Sequence, residues 1–296
     1  MKMIRPRCLN CNNAVEPFIS TKDENRKVTS TVFNYIRCNQ CRLISLQNVP
    51  FDLGQYYADD YFNIPLVAHI DALARRQDAK MAAIAPFVRG GRLLEIGPAV
   101  GAFAQRATVE GYQVEVIERD AACCDFLSTS LNIKTHHSAC PEKIIPTLDQ
   151  HDVIALWHVI EHLENPFELF SAAAENLRSG GILVIGTPNP ESYQFGLMKS
   201  MWPHIDAPRH VHLIPHAVLI ERGKSLGLEL CYLTTRDTDA RSWNRFGWQR
   251  LFMNRLPTKV GAACGLALGT VISAVMAPLE GRALNGSAYT LTLRKC

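Results

Sequence analysis

At 296 residues the chain can bury the core of one large α/β domain with appendages, and a net charge of +3 is too small to call for a polyanionic partner. Residues 1–7 lack the apolar run of a secretory signal, so a cytoplasmic location is expected. Of ten cysteines, four form two close pairs and the rest are scattered, the pattern of free thiols in a reducing compartment.

Cys8-Leu9-Asn10-Cys11 and Cys38-Asn39-Gln40-Cys41 are two Cys-x-x-Cys knuckles separated by 26 residues. Each offers two thiolates on a tight turn, and four thiolates close a tetrahedral shell around zinc with no position left open for chemistry. Residues 1–45 therefore read as a zinc ribbon with a structural metal, the rival being a pair of redox dithiols. Within it, residues 31–36 alternate as a strand that would present Val32, Asn34 and Ile36 on one face. Residues 46–65 form an aromatic linker, in which Tyr56, Tyr57, Tyr61 and Phe62 either pack between modules or line an acceptor pocket. An amphipathic helix is predicted over 65–88, with Leu66, Ile70, Leu73, Met81 and Ile84 at helical spacing. Gly90-Gly91 ends it.

Residues 92–101 read as a buried strand entering a glycine turn. A helix and a second strand, 113–117, follow, and that strand ends in Glu118. Strand, turn, helix and acid in this order make a nucleotide-binding βαβ unit credible where a lone glycine motif would not. Asp120 can cap the next helix; further strands are expected at 133–137, 151–157 and 182–185, and a helix over 167–178. The alternation implies a doubly wound, mostly parallel sheet that binds ligands beyond the carboxyl ends of its strands. Residues 228–235 and 288–294 supply the last two strands.

Leu94-Glu95-Ile96-Gly97 with Gly101, Glu118, the stretch from Trp157 to Leu163, and Gly180-Gly181 before Thr187-Pro188-Asn189 resemble class I S-adenosylmethionine-dependent methyltransferases. Ala99 stands where many members have glycine. The resemblance implies a Rossmann-like, seven-stranded methyltransferase domain over 66–296, with a helical insertion at 239–286 between the last two strands. It also implies S-adenosylmethionine as cofactor. Gly97 and Gly101 would meet its methionine part, Glu95 would lie near its ammonium, and Glu118 would take the ribose hydroxyls. Ser138 and Ala139 would lie beside adenine, and Trp157 either edges the cofactor or packs in the core.

The acceptor side rests on histidines, whose ordinary pKa suits proton transfer from a hydroxyl. His158, Glu161 and His162 are expected at the start of a helix after the fourth strand. His210 and His212 lie in a Pro-Arg-His segment resembling that of zinc-ribbon methyltransferases that act on sugars, lipids or natural products, and they would face the same way in an extended lid. The same residues resemble small-RNA 2′-O-methyltransferases, in which His158, Glu161, His162 and His212 would occupy the metal-binding positions. The reading that follows is O-methylation of a small or lipid-linked acceptor. Its rivals are RNA 2′-O-methylation, without a basic groove evident in the sequence, and a non-catalytic zinc-ribbon binding protein.

In the insertion, residues 242–256 mix aromatics with arginines and 260–279 carry no charge. That length could span a bilayer, but a single crossing would strand the last strand on the wrong side. Residues 241–280 are therefore expected to lie peripherally at the inner membrane face, to pack helix on helix through Gly261, Gly265 and Gly269, or to bury a lid or homo-oligomer interface.

Overall fold

The computed structural model describes residues 7–57, 63–256 and 258–296, so Tyr61 and Phe62 of the aromatic linker lie outside the described residues. The chain opens with β1 (Val15–Thr21), which pairs antiparallel with β2 (Phe33–Cys38); β2 pairs in turn with β3 (Ile44–Leu46). The inward residues of β2 are Phe33 and Tyr35 with Ile36, while Val32 and Asn34 are exposed. The expected inward face is thus displaced, because Phe33 and Tyr35 pack on Trp202, Ile205 and Val211 from far along the chain.

The helix predicted over 65–88 is two short helices, α1 (Val67–Ala74) and α2 (Asp78–Ala82), separated by a 3₁₀ turn at Arg75–Gln77. Helix α1 packs on α3 (Ala102–Val109), whereas α2 reaches a helix of the insertion, and one straight rod cannot meet both. Leu66, expected on the apolar face, is exposed.

The main sheet is built from β4 (Gly91–Ile96), β5 (Tyr112–Glu118), β6 (Lys134–His137), β7 (His151–Trp157) and β8 (Leu177–Pro188). Helices α4 (Ala121–Asp125), α5 (Pro141–Ile144) and α6 (Pro166–Asn176) lie between these strands, and Asp120 caps α4 by accepting from the Cys123 amide. After β8 come α7 (Tyr193–Met198), β9 (His212–Leu213), α8 (His216–Ser225) and β10 (Leu228–Thr234). Helices α9 (Thr238–Arg255) and α10 (Lys259–Glu280) precede β11 (Ala288–Lys295). The strand order is β10-β11-β8-β7-β4-β5-β6, with β11 antiparallel to both neighbours and the remaining pairs parallel.

Alternate residues feed two cores. Leu94, Ile96, Ile154 and Leu156 face Phe167, Phe170 and Leu219, while Leu93, Val153 and Ala155 face Met81, Ile84 and Phe103. Burial on both faces is what makes β7 apolar almost throughout. Helix α6 stops two residues earlier than expected. Asn176 is buried, accepts from Nδ1 of His151 through its Oδ1 and donates to the Ile145 carbonyl, and Leu177 already has extended backbone.

Two arrangements shape the site. The short strand β9 completes a second sheet of order β1-β2-β3-β9, with Ile44 opposite Leu213 and Ser45 opposite His212, so the N-terminal ribbon and the segment after β8 share one sheet. The insertion is an antiparallel helical hairpin. A Cβ on Gly269 would fall 2.4 Å from Cα of Gln249, and one on Gly265 would fall 2.8 Å from the Met253 amide nitrogen. Only hydrogen at these positions lets the two backbones approach.

Candidate functional site

One half of the candidate site is made by the turns after β4 and β5. Gly97 has φ +67°, and a Cβ there would meet Val159 at 2.6 Å. Ala99 adopts φ 52°, which is costly for a residue with a side chain, and its amide donates to Glu118 Oε2 at 3.0 Å. Glu118 Oε1 accepts from the amides of Arg119 and Asp120 at 2.7 and 2.8 Å. The carboxylate is thereby fixed at the carboxyl edge of the sheet. Ser138 donates its amide to the Glu118 carbonyl at 2.8 Å, and Ala139 next to it is exposed.

Glu95 is buried and its Oε2 has no hydrogen-bond partner. Burial pushes its carboxyl up to about 8, with Lys80 opposing the shift and Glu118 adding to it. Trp157 is also buried, edge-on to Phe103 at 5.4 Å and under the Lys80 ammonium at 5.2 Å, and its Nε1 is unpartnered. It packs in the core beside the donor turn.

The other half gathers around a 3₁₀ turn, Ile160–His162, where a regular helix was expected. His158 sits at φ 58°, with its amide held by the Gly186 carbonyl at 2.8 Å. Its ring lies 3.4 Å from carboxylate oxygens of both Glu161 and Asp239 and is covered by Trp243, centroids 4.4 Å apart. Burial alone would lower the His158 pKa, but the Asp239 and Glu161 carboxylates lift it to about 9. Burial works against charge on Glu161 too, yet His158 holds that carboxyl down at about 2. The pair is ionised at neutral pH. Thr187 completes it, donating to Glu161 Oε2 at 2.9 Å.

His162 and His210 meet edge to face, centroids 4.6 Å apart. Nδ1 of His162 is 3.0 Å from the Arg209 carbonyl and Nδ1 of His210 is 2.8 Å from the His204 carbonyl. Because a carbonyl can only accept, both Nδ1 atoms carry a proton, and in the neutral ring it is Nε2 that keeps the lone pair. One donor atom from each of Glu161, His162 and His210 lies within 4.8 Å of the others, a set that suits acid/base work or a divalent cation. Burial, with His210 alongside, lowers His162 to about 4.

His212 does not join them. It is fully buried, with Nδ1 2.9 Å from the Ser45 hydroxyl and Nε2 3.2 Å from the Glu164 carbonyl. The expectation that His210 and His212 face the same way fails because β9 begins at His212 and turns that ring into the ribbon sheet. His158 is likewise turned from the His162–His210 pair towards α9.

The ribbon holds the segment that carries His210. Arg209, fully buried, is clamped by Asp23 at 2.6 Å and Asp206 at 2.8 Å, and the Tyr35 hydroxyl donates to the His210 carbonyl at 2.8 Å. At the other end of the ribbon, the Sγ atoms of Cys8 and Cys41 are 3.5 Å apart and those of Cys11 and Cys38 are 3.4 Å apart. Four thiolates about 2.3 Å from one zinc ion would stand about 3.8 Å apart, so the cluster fits zinc with little movement. Amides of Gln40 and Cys41 already point at the Cys38 sulfur.

Asp239, Trp243 and Asp23 were not among the expected site residues, whereas Tyr57 was one of the linker aromatics expected to pack between modules or line a pocket. Asp239 and Trp243 open the insertion, 81 or more positions from His158, and no local spacing ties them to it. Thr187, by contrast, stood in the Thr-Pro-Asn motif already noted.

A donor turn with an acidic residue at the next strand end, facing a histidine and glutamate cluster across the carboxyl edge of a seven-stranded sheet, defines a group-transfer fold of the methyltransferase class. The family model described as a methyltransferase domain matches residues 68–233, and the chain belongs to that family. A ubiquinone biosynthesis O-methyltransferase of Cereibacter sphaeroides is 26% identical over 148 residues, 47% of this chain and 59% of the relative. One of the same description from Rickettsia bellii is 26% identical over 125 residues, 40% and 52% of the two chains. This chain thus covers somewhat over half the length of these curated relatives. In fold it is similar to a putative sarcosine dimethylglycine methyltransferase from Galdieria sulphuraria, with TM-score 0.51, 14% identity, and coverage of 76% of this chain and 85% of that one.

Proposed function

We propose that the protein is an S-adenosylmethionine-dependent O-methyltransferase acting on a small or lipid-linked acceptor, with a structural zinc in its N-terminal ribbon. The observation that carries this is Glu95. A buried carboxyl oxygen without a partner, two residues before Gly97, where a Cβ would meet Val159, calls for a cationic ligand group, and the cofactor's ammonium is one. Glu118 would take the ribose hydroxyls, Gly97 and Gly101 would admit the methionine part, and Ser138 and Ala139 would border adenine. The relatives named for ubiquinone biosynthesis favour an oxygen acceptor on a lipid-linked molecule.

When bound, the cofactor supplies an activated methyl on a sulfonium. The protein's share is alignment, exclusion of water and removal of one proton. Methyl transfer to a hydroxyl would release one proton, which an imidazole of this site would accept. His162, at about 4, is a weak base, which leaves His210 Nε2 to take the proton, with Glu161 facing the imidazolium that forms. His158, already charged, holds Glu161 in place.

Titration calorimetry with S-adenosylmethionine tests the donor half; absence of binding by folded protein would sink the proposal. Mass spectrometry of cell extracts incubated with isotopically labelled cofactor, comparing the native chain with Glu118→Ala, identifies the acceptor.

A second reading, a divalent cation held by Glu161, His162 and His210, is favoured by their convergence and by the lone pairs on both imidazoles. Metal analysis of a Cys38→Ser, Cys41→Ser variant separates the two. A folded variant without metal above background removes the cation.

A further inference from the structure

We propose that the outer face of the α9–α10 hairpin is a docking surface for an anionic lipid bilayer, on which α10 lies flat beside the acceptor opening. Helix α10 shows two stripes. Gly265 and Gly269 face α9 and Gly261 meets the turn at Leu256, while Val260, Cys264, Leu268, Val271 and Val275 recur at helical spacing on another side and are exposed, Val260 at 76%, Val271 at 60% and Val275 at 65%. An apolar stripe about four turns long in water implies an occupant.

Charge identifies that occupant. From 241 to 279 the chain contains five cations, Arg241, Arg245, Arg250, Arg255 and Lys259, and no aspartate or glutamate. Arg241, Arg245, Arg255 and Lys259 are exposed, and none forms an ion pair among the described residues. The antiparallel hairpin puts Arg255 and Lys259 at the closed end of the stripe and Arg241 at its open end, so both ends are cationic. An apolar stripe bracketed by unpaired cations matches an acyl layer beneath anionic headgroups. A second copy of the chain would set these like charges against each other.

The hairpin lies on the membrane rather than across it. Helix α10 is long and apolar enough to span, but α9, packed along it, is bound to the body of the protein. Trp248 is buried in one core with Phe195 and Trp202, and Asn244 accepts from the Ser287 amide where the chain enters β11.

The surface also leads to the site. The first turns of α9 carry Asp239 and Trp243 against His158, and Trp243 continues through Phe246, ring centroids 5.6 Å apart, to the exposed side of the helix. An acceptor carried on a lipid would therefore meet His158 and His210 without leaving the bilayer surface. That use rests on the methyl-transfer reading, whereas the docking surface itself does not.

Flotation of the full chain tests it, with vesicles of phosphatidylcholine alone and of phosphatidylcholine mixed with phosphatidylglycerol. The protein is expected to float with the anionic vesicles, to float less at high salt, and to remain below with phosphatidylcholine alone. Arg241→Glu with Arg245→Glu should lower the partition constant at least about thirtyfold, and Val271→Asp with Val275→Asp should abolish it. Calorimetry with S-adenosylmethionine checks that each variant is folded, and the salt dependence of the native chain serves if a variant is not. Recovery of all native protein in the lipid-free fraction with anionic vesicles would overturn the proposal, as would a stable dimer by light scattering that Val271→Asp dissociates. Loss of cofactor binding with flotation intact would count against the methyl-transfer reading alone.

Discussion

Tyr57 reaches His162 with its hydroxyl oxygen, 3.1 Å from Nδ1, while its ring carries the Arg119 guanidinium 5.1 Å from the centroid. Arg119 follows Glu118, and His162 belongs to the histidine and glutamate cluster, so one side chain from before the main sheet spans both halves of the candidate site. Tyr57→Phe keeps the ring and removes the oxygen. Cofactor affinity by calorimetry should change less than about twofold, while transfer of labelled methyl falls about tenfold or more, since acid/base positioning is worth that much.

Cofactor binding should depend on pH through Glu95. Its carboxyl titrates at about 8 in the free protein, chiefly through burial, and must be ionised to pair with an ammonium. Affinity should therefore rise as pH approaches about 8, by at most about tenfold per pH unit, with proton release detectable in buffers of different ionisation enthalpy. Glu95→Gln should flatten the profile. In the cofactor-free protein the sign is opposite: the folded state holds this proton more tightly than the unfolded chain, so stability falls as pH rises from the ordinary carboxyl value through about 8.

Asp23→Ala should destabilise the fold by about 3–5 kcal/mol in denaturant unfolding, because it leaves the buried Arg209 guanidinium short of a partner. Arg37→Ala, which breaks the partly exposed pair with Glu16, should cost about 1 kcal/mol or less.

The native chain should carry zinc at its four cysteines, and Cys38→Ser should release it. Sulfur-to-cobalt charge-transfer absorption on cobalt substitution is the direct check. Loss of the metal should lower the thermal midpoint of the whole chain and not only of its first 45 residues, because Phe33 and Tyr35 share one core with Trp202 and Trp248.

The central sheet was legible because β4, β5 and β7 are apolar runs whose ends carry Gly97, Glu118 and His158, so period and punctuation agree. The positions of Gly97 and Glu118 were legible for the same reason: they sit where a strand stops. The acceptor side was less so. His212 is two positions from His210 and shares its chemistry, and only the pairing of Ser45 with His212 sends one ring to structure and leaves the other in the site. Asp239 and Asp23 were illegible, since each meets its partner through chain folding across 81 and 186 residues, over which side-chain spacing carries no information.

The pairing of Ile44 with Leu213 bears on how the chain is made. The ribbon leaves the ribosome first, yet its last strand partner is translated about 170 residues later, after the whole parallel half of the sheet. Until then the edge of β3 and the faces of Phe33 and Tyr35 stay uncovered, and a metal captured early would hold the nascent ribbon in register without finishing it. Translation arrested between β8 and β9 should leave an N-terminal half prone to associate, and completion of the Pro-Arg-His segment marks the moment when the newborn protein closes its first-made edge and its acceptor site together.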